Sequence, residues 1–155
     1  MESTIIDKND RAILRQLQKN SRISVAALAN IISISESACR RRIEKLEQDG
    51  IIKGYRCEID GKKLGFSLNV FVSISLGAQT DKDLTGFEQK VRTTPEILEC
   101  WLMTGESDYL LRIGARDIAD LERIHREVLT KLPNVTRVNT AIAMRSVCEI
   151  KNVAI

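Results

Sequence analysis

The hydrophobic period of this chain changes once, near residue 60, and that change restricts the fold to a helical unit joined to a unit of interleaved strands and helices. Before Asp60 the apolar residues recur three and four positions apart. Beyond Ser67, runs that alternate every second residue take turns with helical ones. The pattern predicts two small domains, at residues 1–60 and 67–155, with 61–66 as the connection. A length of 155 residues holds both, since domains extend down to about 50 residues, and it is too short for a large multidomain enzyme. With 43% hydrophobic and 29% charged residues the chain can bury a core, and neither an internal repeat nor a low-complexity segment interrupts it.

In the first domain Asp7 can cap a helix that carries Ile13, Leu14 and Leu17 on one stripe. Asp10 in its first turn and Lys19 near its end sit where the helix dipole favours them. Ser24 caps a short second helix with Val25, Leu28, Ala29 and Ile32. Ser33 and Ile34 make a tight connection to Ser35, the cap of a third helix on which Cys39, Ile43 and Leu46 share a face. Gly50 ends that helix, and residues 51–60 are expected to form a short extended pair, or wing, bent at Gly54. Three helices with a brief turn before the last, followed by a strand pair, make the pattern of a winged helix-turn-helix. On the third helix Ser37, Arg40, Arg41, Glu44 and Lys45 then project outward, and Arg42 lies at the flank where its stem can cover apolar surface. The same residues would also suit an ordinary solvated face, with Glu36, Glu44 and Glu47 partly cancelling the arginines. The helix-turn-helix context favours a phosphate-lined groove.

The second domain reads strand, helix, strand, strand, helix, strand. Leu68, Val70, Val72, Ile74 and Leu76 alternate with Asn69, Phe71, Ser73 and Ser75. A helix from Asp81 lines up Leu84, Phe87 and Val91, and Thr94 with Pro95 closes it. Residues 97–104 and 109–115 are strands joined by a turn at Gly105, Glu106, Ser107 and Asp108. Asp117 opens a helix with Ile118, Leu121, Ile124, Val128 and Leu132 toward the sheet, and the last strand spans 135–144. The fold class expected is α+β: an N-terminal winged helix-turn-helix domain plus a C-terminal ferredoxin-like βαββαβ sandwich. Two helices cover one face of such a sheet. Phe71, Ile97, Trp101, Met103 and Leu110 are expected on the other, interleaved with Glu99, Arg112, Arg137 and Asn139, and a patch of that kind implies at least a homodimer.

A net charge of +3 is too small to announce a nucleic-acid binder, so the distribution of charge has to decide. Cys39, Cys57, Cys100 and Cys148 form no C-x-x-C pair and have one histidine, His125, to join them; reduced thiols are expected, with no metal and no cofactor. On the helical wheel His125 lies among Leu121, Val128 and Leu132, which predicts a packed imidazole rather than a base. Without a phosphate loop, a nucleophile elbow or a ligand cluster, no catalytic residue is assigned and the chain is not expected to be an enzyme. The longest uncharged run, 64–80, carries Ser67, Asn69, Ser73, Ser75 and Gln79 and falls short of the roughly 18 apolar residues of a membrane span. The charged start has no signal-peptide core, so a cytoplasmic protein is expected.

The opening I-I-D-K-N-D-R-A-I-L-R-Q-L-Q-K-N-S-R-I-S, the stretch S-E-S-A-C-R-R-R-I-E-K-L-E-Q-D-G-I-I-K-G-Y, the turn T-G-E-S-D-Y-L-L and the closing L-P-N-V-T-R-V-N-T occur in this order across both domains. Together they resemble the Lrp/AsnC family, the feast/famine regulators, over nearly the whole chain. The resemblance implies a transcription regulator whose C-terminal domain oligomerises and senses a small molecule, usually an amino acid. Dimers would assemble further, to tetramers or octamers, with the effector between dimers near the Gly-x-x-Asp turn at Gly105 to Asp108. It further implies Thr104, Gly105 and Asp108 as effector residues, Asn139 and Thr140 as contributors from the final strand, and Glu106, Ser107 and Trp101 as residues that set ligand choice.

For the DNA side, a dimer would present two third helices to successive major grooves, about 34 to 36 Å apart, and read a pseudo-palindrome. Arg40, Arg42 and Lys45, with Arg22 and Lys53, are assigned to phosphates. Ser37 and Arg41 are assigned to base edges, and the helix end capped by Ser35 to a further phosphate. The competing reading is a winged-helix adaptor that binds proteins without specific DNA binding.

Overall fold

The structure, a computed structural model, describes residues 6–148, which divide into two compact units. The first, up to Glu58, is helical. Its elements are α1 (Lys8–Lys19), α2 (Val25–Ile32) and α3 (Glu36–Gln48). Asp7 caps α1 in a reciprocal capping box with Asp10, Ser24 caps α2 and Ser35 caps α3, so each helix starts where a short oxygen-bearing side chain can accept from an otherwise orphaned amide. Between α2 and α3 the chain turns at Ser33, which takes a left-handed conformation (φ 59°). At the far end of α3, Gly50 (φ 70°) lets its own amide donate to the carbonyl of Glu47 and that of Ile51 donate to Leu46, and Ile51 folds back over the core.

Ile13, Leu14, Leu28, Ala29, Cys39 and Leu46 form the core of this unit, with Leu17, Val25, Ile32, Ile43 and Ile52 packed around them. The wing expected over 51–60 does not form a strand pair among the described residues. Residues 53–60 are exposed and make no ladder with any other described residue. The two large apolar side chains of that stretch, Tyr55 and Ile59, remain exposed, so no burial of theirs holds the stretch in a pair. Tyr55 instead donates its hydroxyl to Glu47 Oε1 at 2.8 Å, tying the segment to the end of α3.

The second unit, Ile59–Val147, opens with a single 3-10 turn, Gly61–Leu64, capped by Asp60, in the stretch that composition reads as a connection. It continues as β1 (Leu68–Leu76), α4 (Asp81–Arg92), β2 (Ile97–Leu102), β3 (Tyr109–Ala115), α5 (Ile118–Glu127) and β4 (Val135–Ala143). The antiparallel sheet has the order β2-β3-β1-β4. This is the βαββαβ arrangement expected, with both helices on one face. Val70, Val72 and Ile74 of β1, Leu111 and Ile113 of β3, Phe87 and Val91 of α4, and Leu121 and Ile124 of α5 share the core.

Three side chains lie elsewhere than periodicity places them. Ile97 packs on the helix-covered face, because the register slips between Ile97 and Glu99 and inverts the parity of β2 at its start. Ile118 is exposed, and α5 stops at Glu127, after which a 3-10 turn brings Leu129 into the core. His125 is exposed: the buried stripe runs through Leu121 and Ile124, and the next residue lies about 100° round the helix.

Tyr109 is buried against Phe87, with ring centroids 4.5 Å apart, and donates to Glu88. Desolvation of the hydroxyl, partial at Tyr55 and deeper at Tyr109, reinforced by the Glu47 carboxylate for Tyr55 and by Glu88 for Tyr109, pushes both phenols up to about 12. Both tyrosines are expected to ionise near that value in the folded chain, against about 10 for a free phenol. A folded pKa above the unfolded one means that their contribution to stability is complete below about pH 10 and disappears as pH rises toward the folded value. Tyrosinate absorbance rising with a midpoint near 10 in folded protein would show that these hydroxyls are not held as described.

Candidate functional site

On α3, the inward positions Cys39 and Leu46 are buried, and Ser37, Arg40, Arg41, Glu44 and Lys45 are all exposed. Arg40 makes a 3.4 Å pair with Glu36 one turn away; exposed pairs of this kind are worth only a few tenths of a kcal/mol and exchange readily for a phosphate. Arg41 and Lys45 form no ion pair among the described residues. Arg22 and Lys53 are also exposed. Ser35 acts on the helix itself, since its hydroxyl accepts from the Ala38 amide at 3.2 Å and lies 3.2 Å from the Ser37 hydroxyl, shaping the start of α3.

Arg42 corrects the sequence reading. It is not a free phosphate ligand, because its Nη1 donates to Asp7 Oδ2 at 2.6 Å and to Asp10 Oδ1 at 2.8 Å, both at the start of α1. Backbone donation from Asp10 together with the Arg42 guanidinium holds the Asp7 carboxyl below the usual carboxylate range, and the two aspartates raise the arginine further above its own. Spacing along one helix cannot show that a side chain is claimed by another helix.

The turn between β2 and β3 is built around Asp108. Its amide donates to the carbonyl of Ile74, its carbonyl accepts from Met103, and Gly105 (φ 126°) supplies the positive angle inside the loop. The carboxylate is occupied on both oxygens: Oδ2 accepts from the Leu76 amide at 2.7 Å and Oδ1 from the Gln79 side chain. Asp108 therefore orders the turn against the end of β1. Beside it, on the face of the sheet away from the helices, lies a cavity of about 110 Å³ lined by Ser73, Ser75, Glu106, Ser107, Arg137 and Asn139.

Glu106, Ser107 and Asn139 thus come together. Thr104, Gly105 and Asp108 do not line the cavity. Thr140 pairs with Val72, whose side chain is in the core, so it points to the opposite face from Asn139. Ser73, Ser75 and Arg137 were missed by sequence reasoning. The available signal was the two-residue period of the first and last strands, but it identifies these residues as neighbours only once Ser73 is paired with Asn139 and Ser75 with Arg137. The arrangement sets a carboxylate at Glu106 and a guanidinium at Arg137 around serine hydroxyls, which matches the two charges of an amino acid. Neither group forms an ion pair among the described residues.

A larger cleft of about 480 Å³ beside β2 is less suited to holding an amino acid, since its polar groups already satisfy one another: Glu88 holds both the Tyr109 hydroxyl and Arg92. Cys100 lines that cleft, and burial pushes its thiol up to about 11, so at neutral pH it stays protonated and a poor nucleophile. No helix of the described residues is long and apolar enough to cross a membrane, and no group of three or more potential metal-ligating side chains occurs among them.

Residues 6–53 match the winged helix-turn-helix DNA-binding family, and residues 69–153 match the Lrp/AsnC ligand binding domain. The chain belongs to the Lrp/AsnC family. Among its relatives, the leucine-responsive regulatory protein of Rhizobium meliloti is 37% identical, over 94% of this chain and 96% of that one. The Bkd operon transcriptional regulator of Pseudomonas aeruginosa is 35% identical, over 92% and 93%. The fold superposes on a transcriptional regulator from Neisseria meningitidis, solved as its L-Met complex, with a TM-score of 0.90 at 27% identity, covering 97% of each chain. This Lrp/AsnC protein is a DNA-binding transcription regulator and not an enzyme, and family membership decides against the adaptor reading.

Proposed function

We propose that this regulator binds a pseudo-palindromic DNA site as a dimer through paired copies of α3, and that an amino acid seated in the Ser73–Arg137 cavity alters that binding. The division of labour follows the two domains: the helical one reads DNA, and the ferredoxin-like one senses the ligand and assembles. The observation that carries the sensing half is that Glu106 and Arg137 line one cavity with Ser73, Ser75 and Asn139, opposite charges in a space close to the size of a small amino acid. The L-Met complex of the Neisseria meningitidis protein supports an amino acid as the ligand class.

Assembly rests on the same face of the sheet. Phe71, Trp101 and Leu110 share it, with Met103 just beyond β2, and Trp101 and Met103 each keep 42% of their surface exposed. A second copy meeting this face would cover them. Tetramers or octamers would then bring the Glu106 turns of neighbouring dimers together, and the site of action is the cytoplasm.

On the DNA side, Arg41 reads a base edge, with Ser37 beside it, while Arg40, Lys45, Arg22 and Lys53 hold phosphates. Arg41→Ala is expected to relax discrimination at one base position and to cost about 1–3 kcal/mol of affinity if the contact is bidentate to guanine. Binding isotherms over single-base variants of the preferred site check it; unchanged discrimination removes Arg41 from the readout.

Thermal-shift screening of the twenty amino acids, read beside the mass of the assembly in solution, tests the sensing half. One or a few amino acids should raise the melting temperature of the wild-type chain and not of Arg137→Ala, because a ligand that binds only the folded state stabilises it. A panel in which no amino acid shifts the wild type, or in which Arg137→Ala responds equally, would exclude this cavity as the effector site.

A further inference from the structure

Arg42 lies on α3 but is turned away from the surface on which Arg40, Arg41 and Lys45 are exposed, toward the start of α1. The two carboxylates it meets are also the two halves of the α1 capping box. Asp7 Oδ1 accepts from the Asp10 amide at 2.9 Å and Asp10 Oδ2 accepts from the Asp7 amide at 3.1 Å, which leaves one oxygen of each for Arg42 Nη1. Every oxygen of the pair is thereby assigned. Two carboxylates this close repel, and α1's own N-terminus offsets only part of that repulsion. Arg42 supplies the rest, and a move of Arg42 onto a phosphate would leave both charges uncompensated.

Within the core of the unit α3 is held by apolar contacts through Cys39, Ile43 and Leu46, and the Tyr55 hydroxyl on Glu47 ties only its far end to the segment that follows. Apolar contacts are non-directional, so they hold a short helix against a core without fixing its roll about its own axis. A charge-assisted bridge to two fixed oxygens is directional. We infer that Arg42 is a positioning residue for DNA recognition: bound to the α1 capping box, it sets the roll of α3 and hence the direction in which Arg40, Arg41 and Lys45 project. This rests on α3 being the DNA-contacting helix.

The test uses the full chain and a duplex that the wild type selects from a random-sequence pool, with affinity measured by fluorescence anisotropy over a range of salt concentrations. Arg42→Gln is expected to lose about tenfold or more in affinity and to lose discrimination against a scrambled duplex, while the slope of log affinity against log salt stays at the wild-type value. Lys45→Ala, a phosphate contact, should instead lower that slope by about 0.9. The double variant Asp7→Asn with Asp10→Asn retains an uncharged cap and leaves Arg42 in place but released, and it should match Arg42→Gln. Adding Arg42→Gln to it should cost little more.

If Arg42→Gln fails to fold, the double aspartate variant decides alone. Affinity that stays level or rises when Arg42 is released would overturn the inference, as would a salt slope that falls by about one with Arg42→Gln. If Arg41→Ala and Lys45→Ala also leave binding unchanged, the assignment of α3 itself has failed and the positioning role with it. If they weaken binding while the aspartate variant does not, the positioning role alone has failed.

Discussion

Asp108→Ala is expected to abolish the response to the amino acid, to leave DNA binding by α3 in place, and to lower the stability of the second unit by about 1–3 kcal/mol. The Leu76 amide, at the end of a buried strand, would lose its acceptor, and Gln79 would lose the oxygen that tethers its loop. Leaving a half-buried donor without a partner costs more than an average hydrogen bond contributes, because its desolvation is no longer compensated. The backbone bonds of Met103 and Ile74 to the turn survive, so the turn stays attached to the sheet while the Glu106–Ser107 wall of the cavity loses its anchor. Asp108→Asn keeps one good acceptor and should fall between the two. Denaturant unfolding and ligand titration check both halves; wild-type stability together with an intact ligand response would show that the carboxylate has no such role.

Leu28→Ala should have the largest effect on stability, about 2–5 kcal/mol, the usual cost of emptying a leucine site that cannot fully collapse. Leu28, on α2, has no exposed surface and belongs to a core of six buried side chains among the described residues, to which all three helices contribute. The two hydrophobic cores have no residue in common, so the loss should fall on the helical unit. DNA binding should disappear at temperatures where the amino-acid-induced stabilisation of the second unit persists. A change below about 1 kcal/mol, or equal loss of both activities at every temperature, would contradict the separation of the two cores.

Much of this architecture is legible in the sequence because two periods carry it. The 3.6-residue stripe of Ile13, Leu14 and Leu17, and the strict alternation from Leu68 to Leu76, each report which face is buried, and the caps Asp7, Ser24, Ser35 and Asp117 all take their expected places. What was not legible depends on partners remote in sequence. The slip that turns Ile97 inward exists only in the pairing of β2 with β3. The distinction between Asn139 and Thr140 needs the register of β4 on β1, and the occupation of Arg42 and Asp108 needs α1 and the end of β1 in place. The resemblance points to the turn at Gly105 to Asp108 as the place of an effector, whereas Ser73 and Ser75, which line the cavity beside it, belong to a strand that the resembling motifs do not include.

The most direct test is a crossed one. DNA affinity and amino-acid binding are measured on the wild type, on Arg41→Ala and on Arg137→Ala, with the amino acid that most raises the wild-type melting temperature. If α3 reads DNA and the Arg137 cavity senses the ligand, Arg41→Ala loses DNA affinity and still binds the amino acid. Arg137→Ala keeps DNA affinity, which the amino acid then no longer changes. Loss of both activities in each variant, or of neither, would contradict the assignment of DNA reading and ligand sensing to these two sites.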